Sequence, residues 1–357
     1  MQKRVYFLMM TAIVLFFQWS CSHKSSKKEL SENEMKAYLL VYFKDSDHAL
    51  HMALSSDGYS FTDINNGNPV ISGDTISMQK GIRDPHIMRG PDNLFYMTMT
   101  DLHIYAQREG LRNTEWERPR NEFGWGNNRG FVLMKSADLI NWSHTTVAID
   151  ETFAGYDSIG CAWAPQTIWD DKEGKPMLYY SMRFYDGTIR LFFSYTNIEF
   201  SKLETEPKLL FQYPKDLTYI DGDITKANDK FHLFYVAHDG TPGIKQAVSS
   251  SINEGYSYDS VWYDSEAVKC EAPNIWKRIG EDKWVLMYDI YGLKPANFGF
   301  RETSDFKTFT DLGRFNEGVM KATNFQIPKH GAVIQLTKKE AEKLAKYWQL
   351  EMTFDKL

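Results

Sequence analysis

Three carboxylates open short apolar runs in this chain: Asp84 in Asp84-Pro85-His86-Ile87, Asp221 in Asp221-Gly222-Asp223-Ile224, and Glu271 in Glu271-Ala272-Pro273-Asn274. Two further runs open on Trp163, in Trp163-Ala164-Pro165-Gln166, and on His330, in His330-Gly331-Ala332-Val333. A core strand gains nothing from a leading carboxylate, and burying an unpaired charge is costly. One such acid alone reads as the cap of a turn. Three at matching places in a repeat call for a chemical explanation, and proton transfer is what positioned carboxylates supply.

The elements that carry these residues follow from an internal repeat. Five units each hold an apolar run, a polar gap and a second run ending in Ser-x-Asp or a close variant. The runs fall at 39–43 and 50–62, 94–100 and 131–143, 177–182 and 191–203, 231–236 and 244–257, and 284–290 and 298–310. They are rich in Tyr, Phe, Val, Leu and Ile and bounded by Asp, Gly, Asn or Ser, which predicts strands and turns. Little polar alternation within the runs suits sheets covered on both faces, as stacked propeller blades are. The segments opening on Asp84, Trp163, Asp221, Glu271 and His330 are then the inner strands of five blades, converging on one axis. The last has no unit after it, and the unit at 39–62 has no inner strand before it. Joining them completes a fifth blade and removes free sheet edges. The expected fold is an all-β, five-bladed β-propeller with a short C-terminal helix, for which Thr337 and Glu340 form a capping box ahead of Ala341–Trp348. A long interruption at 101–130 reads as a wall of a binding site. It offers Trp125, Asn127, Asn128 and Arg129.

Lys3 and Arg4 precede an apolar run from Val5 to Phe17, then Gln18-Trp19-Ser20-Cys21. This reads as a secretory signal, too short to span a bilayer comfortably. Cys21 directly after it resembles a lipobox, with Ser20 fitting that pattern and Gln18 and Trp19 matching it poorly. The expected organisation is a lipoprotein-type signal at 1–21, a polar tether at 22–35 and a catalytic domain at 36–357. The protein would be exported and membrane-anchored, touching the membrane only through lipid on Cys21. A net charge of −6 argues against nucleic acid as a partner. Aromatic residues make up 15% of the chain, a share found on carbohydrate-active surfaces and in aromatic-rich β cores alike. Cys161 and Cys270 precede inner strands of non-adjacent blades and are expected to stay unpaired.

Taken together, Arg83-Asp84-Pro85, Trp163-Ala164-Pro165, Ile220-Asp221-Gly222, Glu271-Ala272-Pro273 and His330-Gly331 resemble glycoside hydrolase family 43 in motif and in order. The similarity covers about residues 36–350. The resemblance implies an inverting glycosidase: Asp84 as general base, Glu271 as general acid, and Asp221 modulating the pKa of the acid and orienting it. Inverting enzymes place water between base and sugar. Asp223 would face the same side of its strand as Asp221 and rivals it for that role. Trp163, Gln166, Trp125, Asn128, Arg129 and Asp223 are the expected substrate contacts. Gln166 and Gly222 depart from the Asp and Pro of many relatives, and Gln166 bears on sugar preference. In relatives the residue matching His330 helps hold a calcium ion through waters, so no cofactor is required but a structural calcium is implied. The other reading of His330 is a hydrogen-bonded core histidine.

The pattern is nearest to arabinosidases, implying an exo-acting monomer that removes terminal α-L-arabinofuranose from plant-type oligosaccharides or polysaccharides. A β-xylosidase or β-galactosidase suits the same architecture. Retaining fructan hydrolases share the fold and an Arg-Asp-Pro motif, but here Cys270 precedes Glu271 instead of following it. A non-catalytic sugar-binding propeller would lack one of the acids.

Overall fold

The computed structural model describes residues 30–111 and 118–355. The signal segment, Cys21 and most of the tether lie outside them. Strands dominate, arranged among the described residues in five sheets that are antiparallel except where the short strand Lys321–Ala322 runs parallel to Ser60–Asp63. Blades 1 to 4 follow chain order, with inner strands Ile82–Arg89, Ile159–Asp170, Tyr219–Ala227 and Glu271–Lys277. Blade 5 is assembled from both ends of the domain: inner strand Lys329–Thr337 pairs antiparallel with Met35–Phe43, in the register Tyr38–Gln335, Leu40–Val333 and Tyr42–Gly331. A 3-10 turn at Glu32–Glu34 and the partly buried Leu30 precede that strand, so ordered structure reaches into the segment expected to be tether.

Apolar runs without alternation arise because both faces of a blade are covered. In Met35–Phe43, Leu39 and Val41 pack towards Ile82, Met97 and Met99 of blade 1. Leu40 and Tyr42, on the opposite face, pack with Met287, Phe298 and Phe300 of blade 4. Tyr42 hides its hydroxyl by donating to buried Asp63 at 2.6 Å. The C-terminal helix Lys338–Tyr347 starts at the expected capping box, with Thr337 accepting from Glu340 N. Arg89, at the end of the blade 1 inner strand, grips Glu340 with two 2.7 Å bonds. Cys161 and Cys270 are buried and free.

Every inner strand carries the same defect. One extra residue is inserted against the second strand between Arg83 and His86, Trp163 and Gln166, Ile220 and Asp223, and Glu271 and Asn274, and likewise around His330 opposite Tyr42 and Phe43. The bulged residues, Asp84, Ala164, Asp221, Ala272 and His330, all have positive φ. Such geometry costs on the order of 1–3 kcal/mol for a non-glycine residue and collects at functional sites. It also corrects the expected register. Asp84, Asp221 and His330 occupy the bulge itself. Glu271 and Trp163 stand one residue earlier, beside alanines that fill the bulge in their blades.

Candidate active site

The bulges sort axial side chains into layers. Residues just before them, Arg83, Trp163, Ile220, Glu271 and Lys329, line a cavity of about 690 Å³ at one end of the axis. The bulged Asp84, Asp221 and His330 also line it. Residues two positions on, His86, Gln166, Asp223 and Asn274, are buried and absent from its lining.

That deeper layer stitches the blades together. Thr167 N donates to His86 Nδ1 at 3.2 Å, Ile275 N to Asp223 Oδ2 at 2.7 Å, and Val333 N to Asn274 Oδ1 at 2.9 Å. Between blades 2 and 3 the link runs through Tyr179, whose hydroxyl accepts from Ile224 N and donates to Gln166. Asp223, expected at the substrate, is therefore placed as an inter-blade staple, and Gln166, also expected there, as the acceptor that orients the Tyr179 hydroxyl within its own blade. Burial pushes Asp223 up to about 7, against the hydrogen bonds from Ile275 and Asn274.

Around the cavity floor the acids experience different surroundings. Burial disfavours the Asp84 charge, but His330, Arg83 and Thr100 outweigh it and hold the carboxyl far below the usual range. His330 Nδ1 lies 3.3 Å from Asp84 Oδ1, and Thr100 Oγ1 donates to Asp84 Oδ2 at 2.7 Å. Burial would discharge His330, yet Asp84, Asp221 and Glu271 raise it to about 9. Asp221 moves the other way: burial lifts it to about 7, opposed by His330 and reinforced by Glu271 and Asp84. Ala272 N donates to its Oδ2 at 3.3 Å.

Glu271 meets a residue that had no assigned role. Lys329 Nζ lies 3.2 Å from Glu271 Oε1 and 2.7 Å from Asp289 Oδ2. Asp289 is fully buried, pairs across the strands with Glu271, and accepts from His330 N. Burial raises Asp289 to about 6, with Lys329 opposing. Asp45 was also unforeseen; it receives a 2.6 Å bond from Arg83, which lies over the Phe43 ring. An acid inside the apolar run Trp284–Ile290 was the signal for Asp289. Lys329 was detectable only once its place before the bulge was known.

The expected wall at 101–130 divides. Trp125 lines the cavity, edge-on to Trp163 with centroids 5.8 Å apart, and Trp163 Nε1 donates to Gly126 O. Asn128 does not reach the cavity: its buried amide binds Asp101 O, Gly130 O and both backbone groups of Ala162. Arg129 is drawn away to Asp150 and Glu151. As for calcium, no group of three or more His, Cys, Asp or Glu among the described residues is arranged to hold a metal ion. His330 Nδ1 is engaged with Asp84, so in the expected water-mediated arrangement only its other ring nitrogen is left to face a hydrated ion.

A family model described as a probable glycosyl hydrolase domain matches residues 33–342. An α-L-arabinofuranosidase of Bifidobacterium longum is 24% identical over 147 residues, 38% of this chain but 12% of that protein. The chain therefore spans about an eighth of that relative's length. Among solved structures, an endo-1,4-β-xylanase of Bacteroides thetaiotaomicron superimposes with a TM-score of 0.55 at 13% identity, covering 78% of this chain and 91% of the other. An exo-1,5-α-L-arabinanase from a bovine ruminal metagenomic library gives 0.52 at 15% identity, covering 75% and 89%. Such distant structural likeness speaks for the fold. With the family match running over most of its length, and three carboxylates gathered on the axis of a five-bladed propeller, the chain belongs to the glycosyl hydrolases related to family 43.

Proposed function

We propose that the protein is an inverting, exo-acting glycosidase that removes terminal α-L-arabinofuranose, with Asp84 as base, Glu271 as acid and Asp221 as the charge that tunes the acid. The observation that carries this reading is the opposed surroundings of the floor carboxyls. His330, Arg83 and Thr100 keep Asp84 ionised, as a base must be. Asp221 is pushed up beside Glu271. The carboxyls driven apart are Asp84 and Asp221, which separates an ionised base from the residue that stands beside the acid. Asp221 lines the cavity and Asp223 does not, which favours Asp221 over its rival.

Trp125 and Trp163 form an aromatic wall suited to the sugar ring or the unit it leaves. Arabinose as the sugar rests on the likeness to the Bifidobacterium enzyme. Export and lipidation at Cys21, with the enzyme acting as a monomer at the membrane, belong to the same proposal. A panel of 4-nitrophenyl glycosides, beginning with the α-L-arabinofuranoside, tests the sugar. NMR during early turnover tests the stereochemistry: the inverted anomer should appear first, and a retained anomer would show Asp84 acting as a nucleophile instead.

A further inference from the structure

We propose that Lys329 is the positioning residue of the acid: anchored on buried Asp289, its ammonium selects the Glu271 oxygen that carries the catalytic proton and steadies the carboxylate left when that proton departs. This rests on the glycosidase reading above and deepens it with a residue that reading does not use. Lys329 stands just before the bulge of blade 5, in the layer of Arg83, Trp163, Ile220 and Glu271. Ile220 shows that an apolar side chain is accepted in that layer. Packing therefore does not call for a lysine there with its counterion fully buried, because a buried ion pair adds little stability over a well-packed apolar pair. The second carboxylate that Lys329 meets is Glu271, and both of these side chains line the cavity.

The hydrogen bonds divide the work between the two oxygens of the acid. Lys329 Nζ donates to Glu271 Oε1 at 3.2 Å, so that oxygen is an acceptor. The catalytic proton then sits on Oε2, which meets no hydrogen-bond donor among the described residues and is left to reach the leaving oxygen. Asp221 and His238 of blade 3, Arg83 of blade 1, and Tyr291 and His330 also act on the acid through their charge. Among the described residues, Lys329 is the one that donates to its carboxyl. An ammonium alone would favour an ionised acid before substrate arrives. Asp289 counters it from 2.7 Å, closer than Glu271, and is itself held by His330 N at 3.3 Å. In the reaction the bond from the anomeric carbon to the leaving oxygen breaks while water attacks that carbon and gives a proton to Asp84. The Oε2 proton passes to the leaving oxygen, and Glu271 keeps the electron pair as a carboxylate. That charge develops beside an ammonium already in place, which needs no reorganisation at the moment of reaction.

The test compares wild type with Lys329→Met, with Lys329→Met/Asp289→Leu, which removes both charges and carries the test if the single variant does not fold, and with Glu271→Gln. The substrates are the phenyl and 2,4-dinitrophenyl glycosides of α-L-arabinofuranose, or of whichever sugar the wild type cleaves. Phenolate is a poor leaving group and needs the proton; dinitrophenolate hardly does. Both Lys329 variants should lose in kcat, and the loss on the phenyl glycoside should exceed that on the dinitrophenyl one by roughly tenfold, as expected for a lost hydrogen bond to a charged group. The alkaline limb of the pH–rate profile, which reports the essential acid, should move to higher pH in both, because a neighbouring cation is gone. A purely structural lysine would lower both rates equally and leave that limb in place, and either result in the double variant overturns the proposal. If Glu271→Gln spares the dinitrophenyl glycoside and the Lys329 variants do not, the inference about Lys329 alone falls. If Glu271→Gln loses equally on both, or the wild type cleaves no glycoside, the acid assignment falls and takes this inference with it.

Discussion

Asp223→Asn separates the two aspartates that strand alternation places together. Asp223 is buried, accepts the Ile275 N–H at 2.7 Å, and is raised by burial from 3.8 to about 7. Its folded-state pKa lies above its unfolded value, so folded protein binds the proton more tightly. The stability this contributes is full below pH 3.8 and is lost as pH rises through about 7. Each pH unit inside that window is worth about 1.4 kcal/mol, so wild type loses about 3 kcal/mol from this group between pH 5 and pH 8. Asparagine keeps an oxygen to accept from Ile275 and has no proton to lose. Urea unfolding followed by tryptophan fluorescence, with both proteins at both pH values, measures the difference. The variant's stability relative to wild type should improve by about 3 kcal/mol on going from pH 5 to pH 8. A relative stability that is the same at both values refutes the burial argument for Asp223. In parallel, Asp221→Asn should move the alkaline limb of the pH–rate profile to lower pH, and Asp223→Asn should not. If only Asp223→Asn moves it, the layering of the axis has been misread.

Glu271→Gln should lose least on dinitrophenyl glycosides, whose leaving groups need little protonation, whereas Asp84→Asn should be rescued by added azide and by no leaving group; kcat across a leaving-group series checks both. Lys329→Met takes its cation from buried Asp289, which must then bind a proton or stay charged without a partner, and should cost about 3 kcal/mol in chemical denaturation at pH 8. Lys329→Met combined with Asp289→Leu should recover most of that loss, and a double variant no more stable than the single would refute the pairing. Cys21→Ala should release the protein from the membrane fraction on centrifugation, and a variant that still sediments with membranes would rule out lipid at Cys21.

The blades were legible because burial on both faces forces continuous apolar runs, and because the two orphan segments, at 39–62 and 330–337, needed each other. The offset of Glu271 was hidden: the bulge in its blade is filled by Ala272, as Ala164 fills that of blade 2, and an alanine gives no polar mark of where the repeat turns. The same bulge defeated the alternation rule at 221 and 223. A period of two puts them on one side, but the extra residue lifts Asp221 out of the pleat to the cavity floor and leaves Asp223 below it. Asn128 and Arg129 looked available for substrate because a sequence does not reveal which polar groups of a long loop are consumed in holding the loop's own shape. Trp125 was identifiable as a large aromatic residue in that loop.

The strand that completes the ring is also the one that delivers Lys329 and His330 to the acids. Until residues near 330 have been synthesised and have zipped onto Met35–Phe43, Asp84 lacks its imidazolium and Asp289 its ammonium. Asp84 then lacks a partner that holds its carboxyl down, and the base proposed above is not ready. One strand pairing therefore both closes the ring and brings the two cations to the acids, so a variant that loosens Lys329–Thr337 from Met35–Phe43 would open blade 5 and strip Asp84 and Asp289 of their partners in the same event.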